Sequence, residues 1–165
     1  MLSSAQPRVL LVEDDPSVCQ VLSQGLMHIS SRQPLSIAAE VASAHSVASA
    51  LELLGGHQDQ TRPAWDVVLM DMNLGEQTSL DLLQEMRTHS PEQTCATSWI
   101  LLTGRASAEL HIQAIRLGVD AVLLKPVSLA ALREAVGQGF AKAVERRSGI
   151  HRLRELDATL TATSS

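Results

Sequence analysis

Short apolar runs recur along this chain, each followed by a stretch with helical spacing, and that alternation leaves few folds open. The runs are Val9 to Val12, Ser36 to Val41, Val67 to Met70, Trp99 to Thr103 and Ala121 to Leu124. Most are apolar almost throughout instead of alternating, as expected of strands covered on both faces by helices. Helix signals fill the gaps. Asp15 followed by Pro16 reads as an N-cap with proline at the first helical position, and Val18, Val21, Leu22 and Leu26 then share a face. Ser46 caps a second helix with Val47, Ala50, Leu51 and Leu54 inward, stopped by Gly55 and Gly56. Thr78 and Asp81 form a capping box for a third, through Arg87, with Leu80, Leu83 and Met86 inward. Ser107 opens a fourth that Gly118 ends. Ser128 opens a fifth, where Leu129, Leu132, Val136 and Phe140 follow helical spacing. The order is βα five times, and right-handed crossovers make it an open, doubly wound α/β sheet.

At 165 residues and 45% hydrophobic content the chain can bury one full core, so a single domain is expected. A net charge of −5 argues against a nucleic-acid surface, which needs clustered Lys and Arg. Cys19 and Cys95 stand apart, outside any ligand spacing, so neither a disulfide framework nor a zinc site is expected. The opening MLSSAQPRVLLVEDD has no basic start leading into a long apolar stretch. No run approaches the ~20 apolar residues that cross a bilayer. A soluble, cytoplasmic protein without membrane contact is expected.

In a doubly wound sheet the site lies beyond the carboxyl ends of the strands. The residues there are Glu13, Asp14 and Asp15 after the first run, Asp71 after the third, Thr103 at the end of the fourth and Lys125 after the fifth. Singly, each has a plainer explanation: a cap, a turn residue, a solvated charge or β propensity. Asp15 is assigned to capping for that reason. Together, at successive strand ends, they form a specific constellation. Crowded carboxylates repel, and a hard divalent cation such as Mg2+ relieves the repulsion. Asp71 can attack phosphorus and form an aspartyl phosphate, with Thr103 and Lys125 supplying hydrogen bonds and charge to the transferred oxygens.

The segments VLLVEDDP, DVVLMDMNLG, ILLTGRAS and GVDAVLLKPVS, in that order and spacing, resemble the receiver domain of bacterial two-component response regulators over roughly Pro7 to Val144. The resemblance implies a flavodoxin-like (βα)5 receiver fold with strand order 2-1-3-4-5. It implies Asp71 as phosphoacceptor, Asp14 as a direct Mg2+ ligand, Glu13 as a ligand through water and the Asn73 backbone carbonyl as a further ligand. Asp71 itself also belongs to the metal set. Thr103 and Lys125 bind the phosphoryl group, and Lys125–Pro126 is a cis peptide bond. Four positions depart from the family pattern. Gly75 stands where proline is common, Ser79 where glycine is usual and Val122 where an aromatic switch residue is usual, while Arg105 places a cation near the phosphoryl entrance. The implied partners are a sensor histidine kinase or a histidine phosphotransfer protein, and a downstream protein that the sequence leaves unknown.

Residues 1–144 are expected to form the receiver and 145–165 a helical extension or tail with no separate output domain. Gly149 is expected to break or kink the chain there. Ile150, Leu153, Leu156 and Leu160 form an apolar stripe suited to packing or to a homodimer. Arg146, Arg147, Arg152 and Arg154 read as a solvated helix face. His28, His45, His57, His89, His111 and His151 show no ligand pairing and receive no role. Two other functions compete. A receiver cut from a DNA-binding transcriptional regulator would carry further coding sequence, and an Asp-nucleophile phosphatase would need a general acid where Asn73 stands. A signalling module, not an enzyme, is the preferred reading.

Overall fold

A computed structural model describes residues 6–27, 39–55 and 65–162. The elements are β1 (Arg8–Val12), α1 (Pro16–Met27), β2 (Glu40–Ala44), α2 (Val47–Gly55), β3 (Val67–Asp71), β4 (Asn73–Leu74), β5 (Gln77–Thr78), α3 (Ser79–His89), α4 (Pro91–Ala96), β6 (Ser98–Thr103), α5 (Ala108–Leu117), β7 (Ala121–Leu124) and α6 (Leu129–Ala162). A parallel sheet runs in the order β2-β1-β3-β6-β7. This is the expected 2-1-3-4-5 order once the small β4–β5 hairpin takes two numbers.

Alternate residues of each strand feed two cores, because successive side chains point to opposite faces. Leu10, Val12, Val68, Met70, Trp99 and Leu101 pack with α2, α3 and α5 through Ala50, Leu54, Leu83 and Ala114. Val9, Leu11, Val67, Leu69, Ile100 and Leu102 pack with α1 and α6 through Cys19, Leu26, Leu132 and Val136. Continuous apolar runs were needed because both faces are covered.

The caps stand where the residue types placed them. Asp15 Oδ1 accepts from the Ser17 and Val18 amides at 2.8 and 3.3 Å. Ser46, Ser107 and Ser128 accept from Ser49, Leu110 and Ala131, each at 3.1 Å. Thr78 and Asp81 make both halves of the capping box, and Gly118 ends α5 at φ 91°. The Lys125–Pro126 bond is cis.

Several expectations need correction. The second strand is Glu40–Ala44, not Ser36 to Val41; as an edge strand pairing only with β1 it tolerates Glu40 and Ser43, so apolarity marked it poorly. Of that expected run, Ser36 to Ala38 lie outside the described residues, as do Gly56, His28 and His57. On α1, Val18 and Val21 are exposed while Cys19 and Leu26 are buried. The helix is rolled so that Gly25 meets Leu129 of α6, where a Cβ would lie 2.3 Å from Leu129 Cδ1. The β4–β5 hairpin and the six-residue α4 were unforeseen, both too short for a periodic signal. Gly75 turns the hairpin at φ 71°, a left-handed conformation that suits glycine. Finally, α6 runs unbroken through Gly149 for 34 residues.

Two of the four arginines anchor this helix to the domain instead of forming a solvated face, whereas Arg152 and Arg154 are exposed as expected. Arg146 pairs with Asp120 and donates to the Thr97 carbonyl at 3.3 Å. Arg147 Nη2 lies 2.6 Å from the buried Asp66, which also accepts from the Arg8 amide at 2.7 Å. Arg154 pairs with Glu92 on α4 at the exposed surface. Arg152 bonds back to Ser148 within the helix. Among the described residues no helix is long and apolar enough to cross a membrane.

Candidate functional site

Strand register brings the constellation to one edge. Val12 is level with Ala44 and Met70, Asp71 with Leu102, and Thr103 with Leu124. The residues that follow β1 and β7, and those that end β3 and β6, therefore emerge side by side. Glu13, Asp14 and Asp71 each offer an oxygen within 4.8 Å of the others. Glu13 and Asp71 are buried and Asp14 is exposed at the mouth.

Lys125 enters from the last strand. Its Nζ stands 2.6 Å from Asp71 Oδ1 and 3.5 Å from Glu13 Oε2. Burial alone would lower the Lys125 pKa, but the hydrogen bond and charge of Asp71, helped by Glu13, outweigh it and hold the ammonium above its ordinary value. Burial raises Glu13 above the usual carboxylate range; the Asp71 charge and a hydrogen bond with Asp14 act the same way, against the Asp15 amide and Lys125.

The pocket suits a hard cation. Among the described residues, Glu13 Oε2 is buried without a hydrogen bond, and of the three clustered carboxylates Glu13 and Asp71 share the Lys125 ammonium. All donors are oxygen, the set that Mg2+ prefers. Asp15 is turned away to cap α1, as its pattern implied, and its amide donates to Glu13 Oε1 at 3.2 Å.

The remaining expected residues are less fully gathered. Thr103 is buried, but its hydroxyl donates to the Arg105 carbonyl at 3.0 Å and accepts from the Arg105 amide at 3.2 Å. The Arg105 side chain is exposed. Asn73 opens the hairpin directly after the Asp71 loop, where the Met72 amide bonds to the Leu102 carbonyl at 2.8 Å. Ser79 is buried, and its amide bonds to the Met72 carbonyl at 3.1 Å. Val122 is half-buried against the first core.

Comparison with known proteins settles the family. The response regulator receiver domain family matches residues 9–137. The chain belongs to that family. This receiver is similar to the response regulator protein PilR of Pseudomonas aeruginosa, 31% identical over 80% of the chain and 26% of PilR. It is also similar to the alginate biosynthesis transcriptional regulatory protein AlgB of Pseudomonas putida, 29% identical over 94% of the chain and 30% of AlgB. It thus spans less than a third of these relatives' length. Among solved structures, the signal receiver domain of an HD domain-containing protein from Pseudomonas fluorescens superposes with TM-score 0.69 and 26% identity, covering 90% of this chain and 96% of that one. A CheY-like receiver from Methanospirillum hungatei gives 0.68 at 23% identity, covering 88% and 99%, a likeness of fold. The receiver is homologous to the response regulators of two-component signal transduction.

Sequence reasoning gave His45 no role, yet its Nδ1 lies 2.9 Å from the Glu13 carbonyl. A contact across 32 positions leaves no periodic trace.

Proposed function

We propose that this receiver takes a phosphoryl group onto Asp71 and signals by phosphorylation-dependent partner binding or by passing the group on in a relay. The observation that carries this reading is the ion pair of Lys125 Nζ with Asp71 Oδ1 at 2.6 Å, beside the acidic pair Glu13 and Asp14. A carboxylate held by one cation among other acids keeps an oxygen free to attack phosphorus. The ammonium is placed to follow charge onto the transferred oxygens.

Glu13, Asp14, Asp71 and the Asn73 backbone carbonyl would hold Mg2+, which when bound neutralises charge on the phosphoryl oxygens. Asp71 Oδ attacks phosphorus, the bond to the donor breaks, and the donor leaves with the electron pair. Lys125 shifts its hydrogen bonds toward the new phosphoryl oxygens. Thr103 supplies a hydroxyl once it releases Arg105. The donor class is a sensor histidine kinase or histidine phosphotransfer protein, in the cytoplasm. Segment 145–165 is the extension through which self-association or partner binding acts. The transcriptional regulatory role of AlgB supports a second reading, a receiver serving a DNA-binding regulator.

Incubation with acetyl phosphate and Mg2+ should add one phosphoryl group, located on Asp71 by mass spectrometry. Asp71→Asn should remain unlabelled, and EDTA should abolish labelling of the wild type. Labelling of the variant, or labelling that survives EDTA, overturns the assignment.

A further inference from the structure

We infer that His45 is a positioning residue for the acidic pocket, its imidazole acting as a clamp on the peptide between Glu13 and Asp14. The inference rests on the proposed Mg2+ role of that pocket and adds a residue to it.

The argument starts from an interrupted ladder. In the β1–β2 pair the Glu40 amide donates to the Pro7 carbonyl at 2.8 Å and the Glu13 amide to the Ala44 carbonyl at 3.0 Å. Parallel strands repeat such rungs every two residues. The donors facing Pro7, Val9, Leu11 and Glu13 would then be the amides of residues 40, 42, 44 and 46. The last rung is missing, because the Ser46 amide turns to Ser49 Oγ at 3.1 Å as the chain enters α2. The His45 amide also goes to Ser49 Oγ, at 3.1 Å. Capping α2 thus takes the one donor, the Ser46 amide, that would have served the Glu13 carbonyl.

The His45 ring replaces it, with Nδ1 at 2.9 Å. A carbonyl only accepts, so Nδ1 carries the proton, which fixes the tautomer and leaves Nε2 as the acceptor in the neutral ring. The carbonyl held in this way belongs to the Glu13–Asp14 peptide. On one side of that peptide Glu13 is buried, and on the other Asp14 is exposed at the mouth. Fixing the peptide plane sets the angle between the two carboxylates, and groups that orient metal ligands tune affinity strongly.

The test uses the full chain. Mg2+ affinity is measured by calorimetry for wild type, His45→Ala, His45→Asn and His45→Gln, with urea unfolding in EDTA beside it. The Asn amide nitrogen can stand near the Nδ1 position, whereas the longer Gln places its donor elsewhere. His45→Ala and His45→Gln are expected to bind Mg2+ roughly tenfold more weakly, and His45→Asn to recover most of the loss. Long-range proton–nitrogen NMR of the wild-type imidazole should show the Nδ1–H tautomer. Wild-type affinity in His45→Ala, or an Nε2–H tautomer, overturns the clamp. So does an affinity loss that tracks unfolding free energy equally across all three variants. A wild type that binds no Mg2+ overturns the functional reading of the pocket, and is distinguished by the NMR result, which reads the contact without metal.

Discussion

Two neighbouring aspartates with the same side chain sit in different surroundings, one in the acidic cluster and one on the first turn of α1. Asp14 faces the pocket mouth, while Asp15 spends one carboxylate oxygen on the first amides of α1. Asp14→Ala should therefore weaken Mg2+ binding by at least the roughly tenfold that loss of even a supporting group costs a metal site. Asp15→Ala should leave the affinity nearly unchanged and cost about 1 kcal/mol of stability, the typical worth of an N-cap. Calorimetric titration and urea unfolding on both variants separate the two, and the reverse order of metal affinities would refute the division of labour. At this scale the sequence was informative wherever a residue type sat at a strand end, which is how Glu13, Asp14, Asp71, Thr103 and Lys125 became candidates, and the fold brings Glu13, Asp14, Asp71 and Lys125 together. It was silent where a role depends on a donor being used elsewhere. His45 matters because Ser46 and Ser49 cap α2, and that competition is invisible until the strands are paired. Arg146 and Arg147 of α6 were misread for a related reason: their acceptors Asp120 and Asp66 come from the starts of distant strands.

Among the elements, α6 carries the strongest constraints. Its Gly139 packs on the beginnings of β3 and β6, where a Cβ would lie 2.8 Å from Ser98 Oγ and 3.3 Å from Val67 Cγ2. Gly149, in the same helix, has open space around it. Gly139→Ala should destabilise by roughly 1–3 kcal/mol through overpacking, whereas Gly149→Ala should stabilise by up to about 1 kcal/mol because alanine favours the helix. Thermal unfolding of both variants gives the signs, and a Gly149→Ala loss would restore the kink expected from sequence. The Asp120–Arg146 pair ties the same helix to the start of β7. Burial alone would raise Asp120, but hydrogen bonds from Arg146 and the Trp99 amide, with the Arg146 charge, hold its carboxyl below the ordinary 3.8. A lowered carboxylate pKa stabilises the fold above its unfolded value, and the gain disappears as pH falls through the folded value. Asp120→Asn should therefore be less stable than wild type at pH 7, with the gap closing as urea unfolding is repeated below pH 3.8. A gap independent of pH would show that the ion pair contributes nothing through charge. Long helices and buried strands were legible from periodicity, whereas the edge strand β2, the hairpin and α4 offered too few apolar positions to register.

For the whole molecule, the two ends of the sheet have separate tasks. The acidic pocket occupies the carboxyl edge, and the arginine anchors of α6 occupy the opposite edge. Beyond those anchors Leu153, Leu156 and Leu160 are exposed. Deleting residues 149–165 should leave Asp71 phosphorylation by acetyl phosphate intact while changing self-association or partner capture, followed by sedimentation and pull-down. Loss of phosphorylation would mean that the extension supports the pocket itself; unchanged association and capture would deny it an output role. The unbroken course of α6 also has a mechanical meaning. The helix starts four residues after Lys125, is pinned at Arg146 and Arg147 and meets the domain again where Arg154 pairs with Glu92, leaving an overhang to Ala162. At ~1.5 Å per residue the overhang beyond Arg154 measures about 12 Å, so each degree of tilt there sweeps its tip by about 0.2 Å. The helix is in effect one continuous rod running from the edge of the sheet that carries the acidic pocket to turns beyond the arginine anchors, so a rotation of its first turn is carried along its whole length to the exposed leucines at its end.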